Sequence, residues 1–322
     1  VSWLAVLVPS DGAAPPPPAE LPLGRAALGL AAEGVGVVFG DEAAGGCVTG
    51  LTPDGVGWRR VERVPVVAAW DRFPGQSRPA AWERLLAGLG GVPVANPPAL
   101  DALCRDKLAC QRALPGHGFP EVVDDGFEGA LERFGAGFLK PRFGSFGHGV
   151  RRVVPGDALP RQVAGLTGAL EPAILQRAVP PPDGYAGVAV RVLVQRGPTG
   201  GWAAGEPVAR WSATDPVVNA ARGAGVVAVR ERFPELVEDA VEGGLRLARG
   251  LADALPEGTL AVELGVDLVL GADGRLHPVE VNGKPRGRLE HLARADARWR
   301  AAHDALAAGP LRWLAARFAR AA

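Results

Sequence analysis

The residues best suited to chemistry lie in one stretch, LAVELGVDLVLGADGRLHPVEVNGKP, residues 260–285. Val262, Leu264, Val266, Leu268 and Leu270 alternate with Glu263, Gly265 and Asp267, the period of a strand with one apolar and one functional face. Asp273-Gly274 supplies the turn, and a two-residue loop there pairs Ala272 with Arg275. Counting outward sets Asp267 opposite Glu280 as a close, non-hydrogen-bonded pair, with Asn282 two residues along on the same face. Facing carboxylates repel unless a cation lies between them, and converging oxygens from an Asp, a Glu and an Asn make a hard-cation site of the magnesium type. A solvated hairpin face with two chance acids has the same spacing, so the rest of the chain must decide.

Only three of the 35 basic residues are lysines: Lys107, Lys140 and Lys284. Where arginine otherwise carries the charge, a surviving lysine marks a place for a compact ammonium rather than a planar fork, chance survival being the alternative. Lys107 follows Asp106 on an expected helix over 95–114. Lys140 ends a strand and precedes a loop punctuated by Gly144, Gly147 and Gly149, with a returning strand over 150–154. Such a loop lets backbone N–H groups approach an anion and can close as a flap, although a glycine-rich turn is unremarkable in a chain with 45 glycines. It is not a P-loop, because no Gly-Lys-Ser/Thr follows.

The elements that must position these groups read as an α/β beginning. Strands are expected over 2–8, 35–39, 64–70 and 92–96, a hairpin over 48–61, and helices over 23–33 and 79–89. Asp71-Arg72 falls at the carboxyl end of the third strand, where open α/β sheets collect ligands; a local ion pair is the alternative. Further along come a helix over 157–170, a short strand over 173–179 with Gln176 leading into the hinge-like Pro180–Pro182, and strands over 188–195 and 202–211 bearing Arg191 and Arg210. A polar, glycine-flanked loop over 217–225 carries Asn219 and Arg222. The helix over 233–254 has Pro234 in its first turn, early acids and late arginines, as the helix dipole prefers, with Val237, Val241, Leu245, Ala248 and Leu251 as its stripe. A helical tail follows from Leu289.

With 322 residues and 48% apolar content, the chain is long enough for two or three domains. Its formal net charge of +0 argues against nucleic acid or an anionic membrane as the main partner. Cys47, Cys104 and Cys110 lack metal spacing and suit a reducing compartment. With no apolar run long enough for a span and no basic leader, the expected location is the cytoplasm.

Taken in order, Asp106-Lys107, Lys140-Pro141 before the glycine loop, Gln176, Arg191, Asn219 and Asp267…Glu280-Val-Asn282 resemble the ATP-grasp superfamily over about residues 95–290. Within it, Gln176, RVLVQRGPTGGW (191–202), Arg210 and EVNGKP (280–285) are most similar to the YheC/YheD group of spore-coat-associated proteins, and Asp71-Arg72-Phe73 fits that pattern. One departure is Ala189, where that group usually carries an acid. The resemblance implies α/β and α+β architecture: an N-terminal α/β domain (1–97), a small lobe with the glycine flap (98–178) and a large lobe with the metal site and C-terminal helices (179–322). It implies an ATP- and magnesium-dependent carboxylate–amine ligase acting through an acyl phosphate on small-molecule or peptide substrates. Two ions would be held by Asp267, Glu280 and Asn282. Lys107, Lys140, Gly144, Ser145, Gly147, Gly149, Gln176 and Val179 would hold ATP, and Arg191 and Asn219 would orient the transferred phosphoryl and the acceptor carboxylate. Asp71, Arg72, Arg210, Arg222 and Lys284 are the substrate-side candidates. A non-catalytic ATP-binding assembly protein and an ATP-dependent small-molecule kinase are the alternatives.

Overall fold

Leu4–Leu7 are apolar without alternation, and in the computed structural model they are fully buried at the centre of the first of three sheets. The structure describes residues 1–9, 15–75, 77–144, 147–165, 168–285 and 289–319. The first sheet is built from β1 (Ser2–Leu7), α1 (Pro22–Ala32), β2 (Val35–Ala44), β3 (Cys47–Asp54), β4 (Gly57–Pro65), β5 (Ala68–Asp71), α2 (Pro79–Leu89) and β6 (Val94–Ala95). Its strand order is β4-β3-β2-β1-β5-β6. β2, β1, β5 and β6 run parallel, and β3 and β4 extend them as an antiparallel ribbon. Leu4 and Val6 join the α1 side of the core, while Ala5 and Leu7 join the α2 side. The single strand expected over 64–70 is divided, with Pro65 ending β4 and β5 beginning at Ala68.

Instead of one helix over 95–114 there are two, α3 (Pro98–Arg105) and α4 (Lys107–Arg112). Asp106 breaks the run with ψ 92° and caps α4, its Oδ1 accepting from Ala109 N at 3.0 Å. The second sheet is formed by β7 (Val122–Val123), β8 (Gly137–Pro141), β9 (Arg151–Val153), β10 (Gln162–Ala164) and β11 (Leu170–Arg177), backed by α5 (Phe127–Phe134). Among the described residues of 157–170 the expected helix is not found. Pro160 and Gly165 leave no uninterrupted helical run between them, and Val163, the inward residue of β10, pairs that strand with β11.

The third sheet has the order β15-β14-β12-β16-β17, with β13 on β12: β12 (Gly187–Arg196), β13 (Trp202–Ala204), β14 (Val208–Ser212), β15 (Gly225–Ala228), β16 (Glu263–Leu270) and β17 (Leu276–Asn282). Between β15 and β16 lie α6 (Val229–Arg232) and α7 (Val237–Ala254). The buried stripe of α7 is Ala240, Gly244, Leu247, Ala248 and Leu251, rotated from the expected one because Gly244 lets the helix close on Val192. Leu100, Cys104, Cys110 and Leu114 of the α3–α4 segment pack into this same core.

Asp267 pairs with Glu280 as counted, though by another route. The turn is a three-residue loop in which Gly271 N bonds Arg275 O at 2.9 Å and Gly274 takes φ +74°, the conformation that loop demands. That slips the register by one, and a bulge opposite Asp267/Leu268 restores it. The tail forms α8 (Leu289–Ala295) and α9 (Arg300–Leu314). Leu311 and Leu314 of α9 are buried among Leu4, Val6 and Leu30, so the C-terminal helix completes the N-terminal core. No helix among the described residues is long and apolar enough to cross a membrane.

Candidate active site

All three lysines line one cavity of about 300 Å³ between the second and third sheets. Lys140 on β8 and Gln176 on β11 are diagonal cross-strand neighbours, and Lys140 Nζ donates to Gln176 Oε1 at 2.7 Å. Burial, seconded by the nearby Lys107, pulls the Lys140 ammonium down to about 8 against the opposing pull of Glu280 and Asp267. Lys107 opens α4, donates to Gly144 O and stands 3.9 Å from Glu280 Oε1. Its position is set by Asp106, whose carboxylate takes Arg142 at 2.8 and 2.6 Å and so straps the start of α4 to the end of β8. Burial pushes the Asp106 carboxyl up, but the hydrogen bonds from Arg142 and Ala109 N outweigh it and hold the group below its ordinary value.

Arg191, Asp267 and Glu280 form a row across three paired strands. Arg191 Nε donates to Asp267 Oδ1 at 2.7 Å and its Nη2 to Oδ2. Arg210 Nη2 reaches Oδ1 at 2.9 Å, and Asn282 Nδ2 donates to Oδ2 at 3.1 Å. Burial pulls the Arg191 guanidinium down, but the Asp267 charge more than compensates and raises it. Ala189, the cross-strand partner of Arg210, lines the cavity without adding a carboxylate. Among the described residues no three His, Cys, Asp or Glu side chains gather as a metal cluster. The donor set nonetheless fits magnesium, which is held by one or two carboxylates together with substrate phosphates, here the facing Asp267 and Glu280 with the Asn282 amide beside them. Against those two acids stand Lys107, Lys140, Arg191 and Arg210, an excess of positive charge suited to a polyphosphate.

Gly144, Gly147 and His148 line the cavity; Ser145 lies outside the described residues. Gly147 (φ +73°) lies against Asn219, whose Nδ2 would be 3.4 Å from a Cβ placed there. Gly149 does not line the cavity, yet its φ of +68° and the Ala164 carbonyl, 2.3 Å from a would-be Cβ, require glycine. Val179, Val188 and Leu270 supply an apolar wall able to take a planar base.

The substrate-side candidates are placed differently from one another. Arg210 and Lys284 line the cavity, but Lys284 is fixed by Asp71 Oδ2 at 2.8 Å and Phe73 O at 2.9 Å, over the Trp82 ring. Asp71 is fully buried and also accepts from Trp82 Nε1 and Phe73 N, so it serves as an anchor rather than a surface group. Arg72 bonds Glu263 at 2.8 Å and Pro285 O at 3.0 Å; Arg222 pairs with Asp215 at 2.7 Å outside the cavity.

Sequence reasoning missed Asn96 and the Glu263–Gln195 pair. Asn96 is buried with φ +52°, donates to Glu263 O and Gly283 O at 2.6 Å each, and accepts from Val262 N and Glu263 N at 2.8 and 3.2 Å. It ties the first sheet to both ends of the Asp267–Glu280 hairpin. Its one legible signal is that asparagine tolerates the left-handed region better than other non-glycine residues. Glu263 is buried, and burial lifts its carboxyl despite Arg72 and Gln195, the latter donating at 2.7 Å.

Solved structures match this architecture over nearly the whole chain. D-cycloserine synthetase DcsG is 17% identical with a TM-score of 0.59, covering 97% of this chain and 99% of its own. The ATP-grasp ligase PsnB, in complex with minimal precursor, Mg and ADP, is 20% identical with a TM-score of 0.56, covering 96% and 97%. D-alanyl-alanine synthetase A from Vibrio cholerae O1 biovar eltor is 14% identical with a TM-score of 0.54, covering 88% and 89%. The chain has the ATP-grasp fold, with an N-terminal α/β domain. Residues 171–307, which hold the Asp267–Glu280 hairpin, match the family described as YheC/D like ATP-grasp. No curated protein matches the chain.

Proposed function

We propose that the chain is an ATP- and magnesium-dependent ligase that joins a carboxylate to an amine through an acyl phosphate. The observation that carries this reading is the convergence of all three lysines on one cavity with the facing pair Asp267 and Glu280. In the first step a carboxylate oxygen attacks the γ-phosphorus and the bond to ADP breaks. In the second the amine nitrogen attacks the acyl carbon, the C–O bond to phosphate breaks, phosphate leaves and the nitrogen loses a proton to solvent. Two magnesium ions, when bound, neutralise the charge of the phosphates and of the transferring group.

The chain's own residues do the rest. Lys107 and Lys140 place point charges along the triphosphate. Arg191 and Arg210, now engaged with Asp267, stand beside the phosphoryl group and orient it, and Asn219 faces it from under the glycine loop. Closure of that loop excludes water and protects an acyl phosphate that would otherwise hydrolyse. Relatives of this fold solved with Mg, ADP and a precursor support the choice of nucleotide and metal. The free thiols suit a reducing cytoplasm. The test is mass spectrometry after incubation with magnesium-ATP and pooled carboxylates and amines. Condensation products alongside ADP are expected, and ATP binding without ADP from any pool would overturn the ligase reading.

A further inference from the structure

A second cavity, about 1330 Å³, opens between the first sheet and α8–α9. Its floor continues that of the nucleotide pocket. On paired β12 and β16, Arg191 and Asp267 line the first cavity, whereas Leu193 and Glu263 line the second. Pro285 lines both. It sits on Gly265, where an added Cβ would lie 2.7 Å from Pro285 Cβ and 3.2 Å from Arg191 Nη1. Arg72 holds the Pro285 carbonyl from the far side. Pro285 is therefore a partition between two compartments of one trough. Asp267 and Glu263, four residues apart on one strand, are separated by roughly 13 Å, a distance an extended chain of about four residues spans.

The size and walls of this cavity describe its occupant. It exceeds the roughly 300–1,000 Å³ typical of small-molecule pockets. Trp58 forms a preformed wall, set edge-on to Phe39 at 5.4 Å with its indole N–H donating to Pro16 O at 2.8 Å. Around the aromatic faces the rim carries both signs of charge, Glu42 on β2 paired with Arg60 on β4 at 3.9 Å, and Glu290 and Arg294 on α8. A polyanion would meet the acids and a lipid the charges, but a polypeptide of mixed side chains finds complements for both.

We propose that this second cavity binds a peptide and presents one of its carboxylates past Pro285 to the nucleotide pocket. The proposal rests on the ligase reading above and adds the substrate class. Its test uses a fluorescent pool of random hexapeptides, with single amino acids and dipeptides as comparators, in magnesium-ATP and pooled amines. Peptides are expected to stimulate ADP release at least tenfold over single amino acids at equal molarity. Ala307→Trp fills the α9 wall of the cavity away from the nucleotide site. It should weaken peptide binding, read by anisotropy, at least tenfold while leaving ATP affinity and Tm unchanged, with Ala307→Ser as the conservative control. Stimulation by single amino acids equal to that by peptides, or wild-type peptide binding in a folded Ala307→Trp variant, would overturn the proposal. C-terminally amidated peptides containing Asp or Glu, set against peptides with a free C-terminus and no acidic side chain, identify which carboxylate is used. Peptide binding without ADP release would instead count against ligation and leave the cavity assignment standing.

Discussion

Replacing Asn96 by alanine should loosen the site without touching any residue that lines it. Its amide satisfies two backbone carbonyls and two backbone N–H groups, all at the ends of the Asp267–Glu280 hairpin. Each buried group left unsatisfied costs about 1–3 kcal/mol, and holding alanine at φ +52° costs about 1–2 kcal/mol more. Water entering the space recovers part of this, leaving a destabilisation on the order of 4 kcal/mol against a typical total of about 5–15 kcal/mol. Differential scanning fluorimetry should show a Tm lower by at least ~5 °C. Hydrogen exchange should rise at residues 262–264 and 283. Asn96→Gly, which relieves the backbone strain and keeps none of the side-chain bonds, should recover no more than that strain, about 1–2 kcal/mol. A Tm within ~2 °C of wild type in Asn96→Ala, or full recovery in Asn96→Gly, would refute the four-bond tie as the source of stability.

The Lys140 ammonium, drawn down to about 8 by burial, gives a pH signature. Its folded value lies below the ordinary 10.5, so the unfolded chain binds more protons between about 8 and 10.5 and stability rises with pH across that window, which denaturation at graded pH reads. The proposed contact with the triphosphate needs the charged form, so kcat/KM for ATP should fall as pH rises through about 8, whereas Lys140→Met should keep its apo Tm and lose the Tm gain on adding magnesium-ATP. Lys284→Met leaves the fully buried Asp71 carboxylate without its cation, expected to cost about 3–5 kcal/mol in chemical denaturation; adding Asp71→Asn should recover at least ~1 kcal/mol in a double-mutant cycle.

Local pattern carried much of the fold. β1 is legible because a buried parallel strand is apolar on both faces, and α2 because Pro79 and Gly90 bracket an amphipathic run. Counting from the turn gives the Asp267–Glu280 pairing only because a three-residue loop and a bulge cancel. What failed depended on tertiary partners. Asp106 ends a helix because Arg142, 36 residues away, holds its carboxylate, and α9 joins the N-terminal core because Leu311 and Leu314 find β1 there. In the site, scarcity made the lysines conspicuous, whereas Asn96 and Glu263 act through backbone groups and buried partners more than 60 residues away, which spacing along the chain cannot reveal.

The central claim is that Asp267 and Glu280 act together on a magnesium-bound nucleotide to drive ligation. ADP release by Glu280→Gln, measured with pooled carboxylates and amines in excess magnesium-ATP, tests it most directly. The glutamine keeps the size of the side chain, which is partly exposed beside Lys107, so the Tm of the apo protein should hold within a few degrees. Turnover should fall at least ~100-fold, as loss of a charged ligand from the proposed magnesium site demands. Wild-type turnover in a folded Glu280→Gln protein would contradict the account.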